Sequence, residues 1–105
     1  TWIVSWTLML TLVLSTTMPK AVFTYSPSDP KVNQTVEFNA TASYAVRGDI
    51  SWYSWNFGDN QGLVTSDPTV NHTYTATGHY TVLLSVTDSH GLISSPYSVP
   101  IEVVA

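Results

Sequence analysis

The chain contains no cysteine, which excludes a disulfide, a thiolate metal site and a thiol nucleophile. That absence leaves the redox compartment open, because a secreted domain need not be cross-linked. Charge is also scarce: Asp, Glu, Lys and Arg make up 10% of the 105 residues, against about 25% in ordinary soluble domains. Only Lys20, Lys31 and Arg47 are basic, and the net charge is −4. Phosphate recognition needs clustered cations, so nucleic-acid binding is excluded. Ser, Thr, Asn and Tyr take the place of the missing charges. Four Trp, six Tyr and three Phe supply ample buriable area and argue against a disordered chain. The length allows one core with a short appendage.

Composition divides the chain near Met18-Pro19-Lys20, giving an apolar segment over 1–20 and a domain over 21–105. Residues 1–18 carry no charge. As a helix they would reach about 27 Å at 1.5 Å per residue, marginal for a bilayer but ample for a hydrophobic bundle. As a strand they alternate, with Trp2, Val4, Trp6, Leu8, Leu10, Leu12 and Leu14 at every even position. Both readings stay open, the balance leaning slightly to the helix. A signal peptide would open on basic residues, and none precedes Lys20. So long an apolar stretch needs a cover. A membrane would provide one, and so would other copies of the chain. The leading expectation is therefore self-assembly into a surface filament or pilus-like homopolymer, with those seven even-numbered residues as the contact.

The rest reads as short strands divided by Pro, Gly, Asn and Asp. Candidate strands cover 21–25, 35–42, 50–57, 70–74, 78–88 and 93–104. Within 35–42, Val36, Phe38 and Ala40 share one face. Within 78–88, Tyr80, Val82, Leu84 and Val86 do. Short strands at intervals of roughly 8–12 residues point to a two-sheet all-β sandwich.

Several stretches in order resemble the PKD (polycystic kidney disease) domain family. Trp55-Asn56-Phe57-Gly58-Asp59 is similar to that family's Trp-Asp-Phe-Gly-Asp hallmark. His72-Thr73-Tyr74, Gly78-His79-Tyr80-Thr81-Val82 and Leu84-Ser85-Val86-Thr87-Asp88 follow at the family's usual distances. The resemblance covers 21–104 and implies an immunoglobulin-like sandwich. It also implies an extracellular setting on cell-surface proteins, enzymes or surface layers, in a spacer or contact role. Trp55, Phe57, Gly58, Asp59, Tyr74, Gly78, Tyr80, Val82 and Leu84 are the motif and core positions. Asn56 stands where the family usually has Asp, and the loop 43–49 lacks the family's acids. Calcium takes about six or more oxygen ligands, so no metal and no cofactor is expected.

Other patterns carry less. Arg47-Gly48-Asp49 spells an adhesion tripeptide but reads first as a turn. His72, His79 and His90 have no compact metal spacing. No Gly-x-Ser-x-Gly elbow is present, and Asp49, Asp59, Asp67 and Asp88 lie at turns, so no enzyme is expected. Asn33, Asn39 and Asn71 open glycosylation sequons and are candidate carriers of N-linked glycans on a secreted chain. The alternative to a filament is a tethered binding module that meets a carbohydrate or protein ligand through exposed Tyr44, Trp52 and Tyr53.

Overall fold

The computed structural model describes residues 17–105, and the expected assembly contact from Trp2 to Leu14 lies outside them. Seven strands follow one another: β1 (Thr24–Ser26), β2 (Thr35–Asn39), β3 (Ile50–Asn56), β4 (Gly62–Thr65), β5 (Thr69–Thr73), β6 (Gly78–Asp88) and β7 (Tyr97–Val103). They form a three-stranded sheet in the order β1-β2-β5 and a four-stranded sheet in the order β4-β3-β6-β7. Every paired neighbour is antiparallel. Among the described residues no helix is long and apolar enough to cross a membrane.

Alternation explains why these segments pair as they do. β2 buries Val36 and Phe38, with Ala40 just past its end, and sends Thr35 and Glu37 to solvent. β6 buries Val82, Leu84, Val86 and Asp88 and leaves the residues between them more accessible. Each fully buried aliphatic or aromatic side chain stabilises the fold by roughly 1.5–3 kcal/mol relative to exposure. Aromatic rings fill the centre. Phe23 meets Trp55 edge-on at 5.1 Å and Phe38 at 6.0 Å, while Trp55 and Phe57 stack at 6.0 Å. The Trp55 indole Nε1 is buried with no hydrogen-bond acceptor, so this side chain stabilises through packing alone.

Four outcomes differ from the sequence expectations. The first strand is shorter than 21–25 and shifted, because Ala21 and Phe23 pack into the core before pairing begins at Thr24. β4 has no counterpart among the expected strands. Tyr53 is buried rather than exposed. The packed unit also takes in Lys20, which exchanges both backbone hydrogen bonds with Tyr44 at 2.8 and 3.0 Å. At the opposite end of the sandwich, Val104 forms a parallel bridge with Lys31.

Candidate functional site

The outer face of the four-stranded sheet carries the side chains that β3 and β6 do not bury. Partners directly opposite in a ladder project to the same side, so the register gives this face row by row. Trp52 lies opposite Thr87, and Thr87 is bridged in turn to Ile93. Ser54 lies between Val64 and Ser85, and Asn56 lies opposite Leu83, which faces Ser98. None of these residues is charged. Trp52 is 51% exposed and Val64 63%, yet both belong to regular strands with fixed backbones. The register is continuous from Trp52 to Asn56, so alternation from the buried Tyr53 and Trp55 turns Trp52 outward, and the register shift lies between Ile50 and Trp52. Small neighbours (Ser54, Thr87 and Ser85) leave the indole accessible.

At the far end of β3 the same face runs into an open cleft of about 540 Å³, lined by Ser54, Asn56, Asn60 and Gln61 among others. The turn that forms it is held at every step. Asn56 Oδ1 accepts the Gly58 N–H at 3.0 Å, and the Phe57 N–H donates to the Gln61 carbonyl at 3.0 Å. Asp59 Oδ1 accepts the Gln61 N–H at 3.2 Å, while its Oδ2 lies 2.7 Å from His72 Nε2. His72 sits on β5, in the other sheet, so this contact clasps the two sheets together. The imidazole is stacked on Phe57 with centroids 4.1 Å apart and meets Tyr74 edge-on. Tyr74 closes the set by donating its O–H to the Phe57 carbonyl at 2.7 Å. Burial first, then Asp59 and Tyr80 nearby, hold the Tyr74 phenol well above the usual tyrosine range. Gly58 makes the turn feasible: its φ is +84°, and a β-carbon would fall 2.6 Å from the Thr81 carbonyl oxygen.

The other residues singled out from sequence scatter. Tyr44 is 56% exposed but belongs to a separate groove with Met18, Lys20, Val46 and Tyr97, at the end where Lys20 joins the sandwich. Tyr53, at 8% exposure, faces inward from β3 and is removed from any ligand face. Burial, with Asp67 adding to it, raises its phenol pKa. Asn33 is exposed with φ +66°, and Asn71 is exposed on β5, an edge strand. The third sequon residue, Asn39, is half-buried and spends its carbonyl oxygen on the Thr41 N–H and hydroxyl. The Arg47-Gly48-Asp49 stretch is a turn with Gly48 at φ +66°, pinned where the Ser89 N–H donates to the Asp49 carbonyl at 2.8 Å. His79 and His90 are exposed, and among the described residues no group of three His, Cys, Asp or Glu side chains is placed to hold a metal. The cleft was missed from sequence because Asn60 and Gln61 look like ordinary turn residues. The visible signal was the absence of any charge on outward positions 52, 54 and 56.

Two antiparallel sheets packed around a Trp-centred aromatic core define an immunoglobulin-like sandwich. The chain belongs to the PKD domain family, whose model matches residues 16–103. Collagenase ColA of Clostridium perfringens is 40% identical over 77 residues, which is 73% of this chain and 7% of the collagenase. The chain therefore spans a small fraction of that relative's length. The PKD1 domain of the Vibrio cholerae metalloprotease PrtV superimposes with a TM-score of 0.70 at 28% identity, covering 84% of this chain and 99% of that domain. A structure solved to explain the promiscuous specificity of carbohydrate-binding modules of the β-sandwich superfamily gives a TM-score of 0.80 at 40% identity. It covers 84% of this chain and 35% of that one.

Proposed function

We propose that this domain is a non-catalytic binding module of a larger extracellular protein, and that it holds its parent on a polymer through the outer face of the four-stranded sheet. The observation that carries the reading is Trp52, half-exposed on a rigid strand and surrounded by uncharged outward side chains. An exposed indole costs the fold solvation without adding to its core, and flat aromatic surface on a fixed scaffold is what a weakly charged polymer can stack on. The relatives support it. A PKD segment recurs within a collagenase and a metalloprotease, and a similar fold lies in a chain with carbohydrate-binding modules. Two of those settings, a collagenase and carbohydrate-binding modules, are named for the protein polymer or the sugars they meet. The filament expected from residues 1–18 gains no support from these relatives and stands behind the sheet-face reading.

Co-sedimentation with insoluble collagen and with insoluble cellulose and chitin tests this directly. The native domain is expected to pellet with at least one of them, and Trp52→Ala to stay in the supernatant while keeping its near-UV circular dichroism. Equal pelleting of both proteins would sink the assignment of this face.

A further inference from the structure

Two features of the sheet face define its ligand more narrowly than a polymer in general. Apolar side chains are interspersed with hydroxyl-bearing ones in two of the rows: Trp52–Thr87–Ile93 in one, Val64–Ser54–Ser85 in the next. A protein partner of ordinary size buries about 800 Å² per side around a continuous apolar centre. Within these two rows no two apolar residues are direct ladder partners, so the apolar surface is broken by hydroxyls along each row. A pyranose ring has the matching pattern, with an apolar C–H face and an equatorial rim of hydroxyls.

The second feature is the cleft at the end of β3. The groups named along it are a hydroxyl (Ser54) and three carboxamides (Asn56, Asn60 and Gln61), with no charged side chain among its lining residues. A carboxamide donates through N–H and accepts through C=O side by side, which suits neighbouring sugar hydroxyls that are both donors and acceptors. Asn56 spends its oxygen on Gly58, so its NH₂ is what it has to offer. The neighbouring carboxylate, Asp59, has one oxygen on the Gln61 N–H and the other on His72, so both of its oxygens are already engaged in holding the turn. Those same bonds fix the turn in advance, so a ligand does not bear the cost of ordering it. Trp52 and Asn56 are four residues apart along one strand, about 13 Å at roughly 3.3 Å per residue, enough for a few pyranose rings. The chain's net charge of −4 disfavours an anionic polymer.

We infer that the cleft of Asn56, Asn60 and Gln61 is a hydrogen-bonding subsite for a neutral polysaccharide, whose chain runs along β3 with one ring stacked on Trp52. This inference rests on the sheet-face reading and adds to it the ligand class and a second group of contacts.

Affinity electrophoresis in gels containing hydroxyethylcellulose, xyloglucan or polygalacturonate, together with collagen co-sedimentation, tests both levels separately. Two further variants probe the subsite. Asn60→Gly removes the amide without straining a left-handed backbone, and Gln61→Ala trims an exposed side chain. Retardation by a neutral glucan is expected, abolished by Trp52→Ala and weakened about tenfold by the Asn60→Gly/Gln61→Ala pair, since the loss of two hydrogen bonds costs on that order. Polygalacturonate is expected to leave mobility unchanged. Glucan binding lost with Trp52→Ala but untouched by the cleft pair would overturn the subsite and keep the face. Stronger retardation by polygalacturonate, or binding to collagen alone, would overturn the ligand class and likewise keep the face. Wild-type protein that binds none of these polymers would overturn both.

Discussion

Trp52 and Trp55 stand three positions apart on β3 and meet opposite environments: the first is 51% exposed on the sheet's outer face, the second 3% exposed between the sheets. Strand geometry separates them, because odd spacing on a pleated strand places two side chains on opposite sides. The same chemistry therefore serves the fold on one face and, in the proposed function, a ligand on the other. Tyr53, Trp55 and Phe57 point inward with the core, while Trp52, Ser54 and Asn56 form one uncharged stripe. A shift of the strand by one residue would exchange the two sets completely. A strand that carries both roles has little freedom to slip.

The contrast predicts a graded series of effects. The largest belongs to Trp55→Ala, which leaves a cavity between the sheets and is expected to cost about 3–5 kcal/mol, read as a fall in the urea midpoint. A loss under about 1 kcal/mol would mean that the inner stripe is not the stability-bearing one.

Gly58→Ala comes next, at roughly 1–3 kcal/mol, because the new methyl meets the Thr81 carbonyl and the positive φ is strained as well. Gly91→Ala is the control: its φ is also +84° but nothing lies within 4 Å of the added carbon. If the two variants lose equal stability, strain accounts for the whole effect and the close approach for none.

Tyr74→Phe follows at about 1 kcal/mol through the lost bond to the Phe57 carbonyl. It also changes the alkaline limb. The native phenol holds its proton above the usual tyrosine value while the unfolded phenol releases it near pH 10. Between those values the unfolded state binds fewer protons, so stability is complete below about pH 10 and falls as the pH rises further. Removing this phenol is expected to flatten that decline in melts at successive pH values, leaving only the smaller share due to Tyr53.

The smallest stability effect belongs to Trp52→Ala, within about 0.5 kcal/mol, as for surface positions away from special features. Its melting temperature should hardly move while ligand retention disappears.

Much of this architecture was legible in the sequence because burial follows period two. Val36, Phe38 and Ala40 on one side, and Val82, Leu84 and Val86 on another, placed a central strand of each sheet: 78–88 matches β6, while 35–42 runs three residues past the end of β2. Tyr53 was misread for a reason the same rule exposes: if Trp55 is a core residue, Tyr53 must point with it and only Trp52 is free to face outward. β4 was invisible because four residues opening on a glycine, Gly62-Leu63-Val64-Thr65, have little strand character until β3 provides a template to pair with. The Asp59–His72 clasp depends on the chain crossing from one sheet to the other within thirteen residues, which no local pattern reveals. The hallmark glycine and aspartate were visible, while the reason for the glycine, a backbone lying against Thr81, belongs to three dimensions.

The positions of Lys20 and Val104 bear on how the domain would be mounted in the larger protein proposed above. Lys20 joins beside Tyr97 at the start of β7, whereas Val104 lies beyond the end of that strand, bridged to Lys31. The polypeptide thus enters at one pole and leaves at the other, separated by the length of β7, about 20 Å at roughly 3.3 Å per residue. Threaded this way, such a domain would lengthen a host like a bead on a taut string instead of doubling it back. The Trp52 stripe runs along the bead's flank, so a bound polymer would lie alongside the tether and leave both poles free to connect.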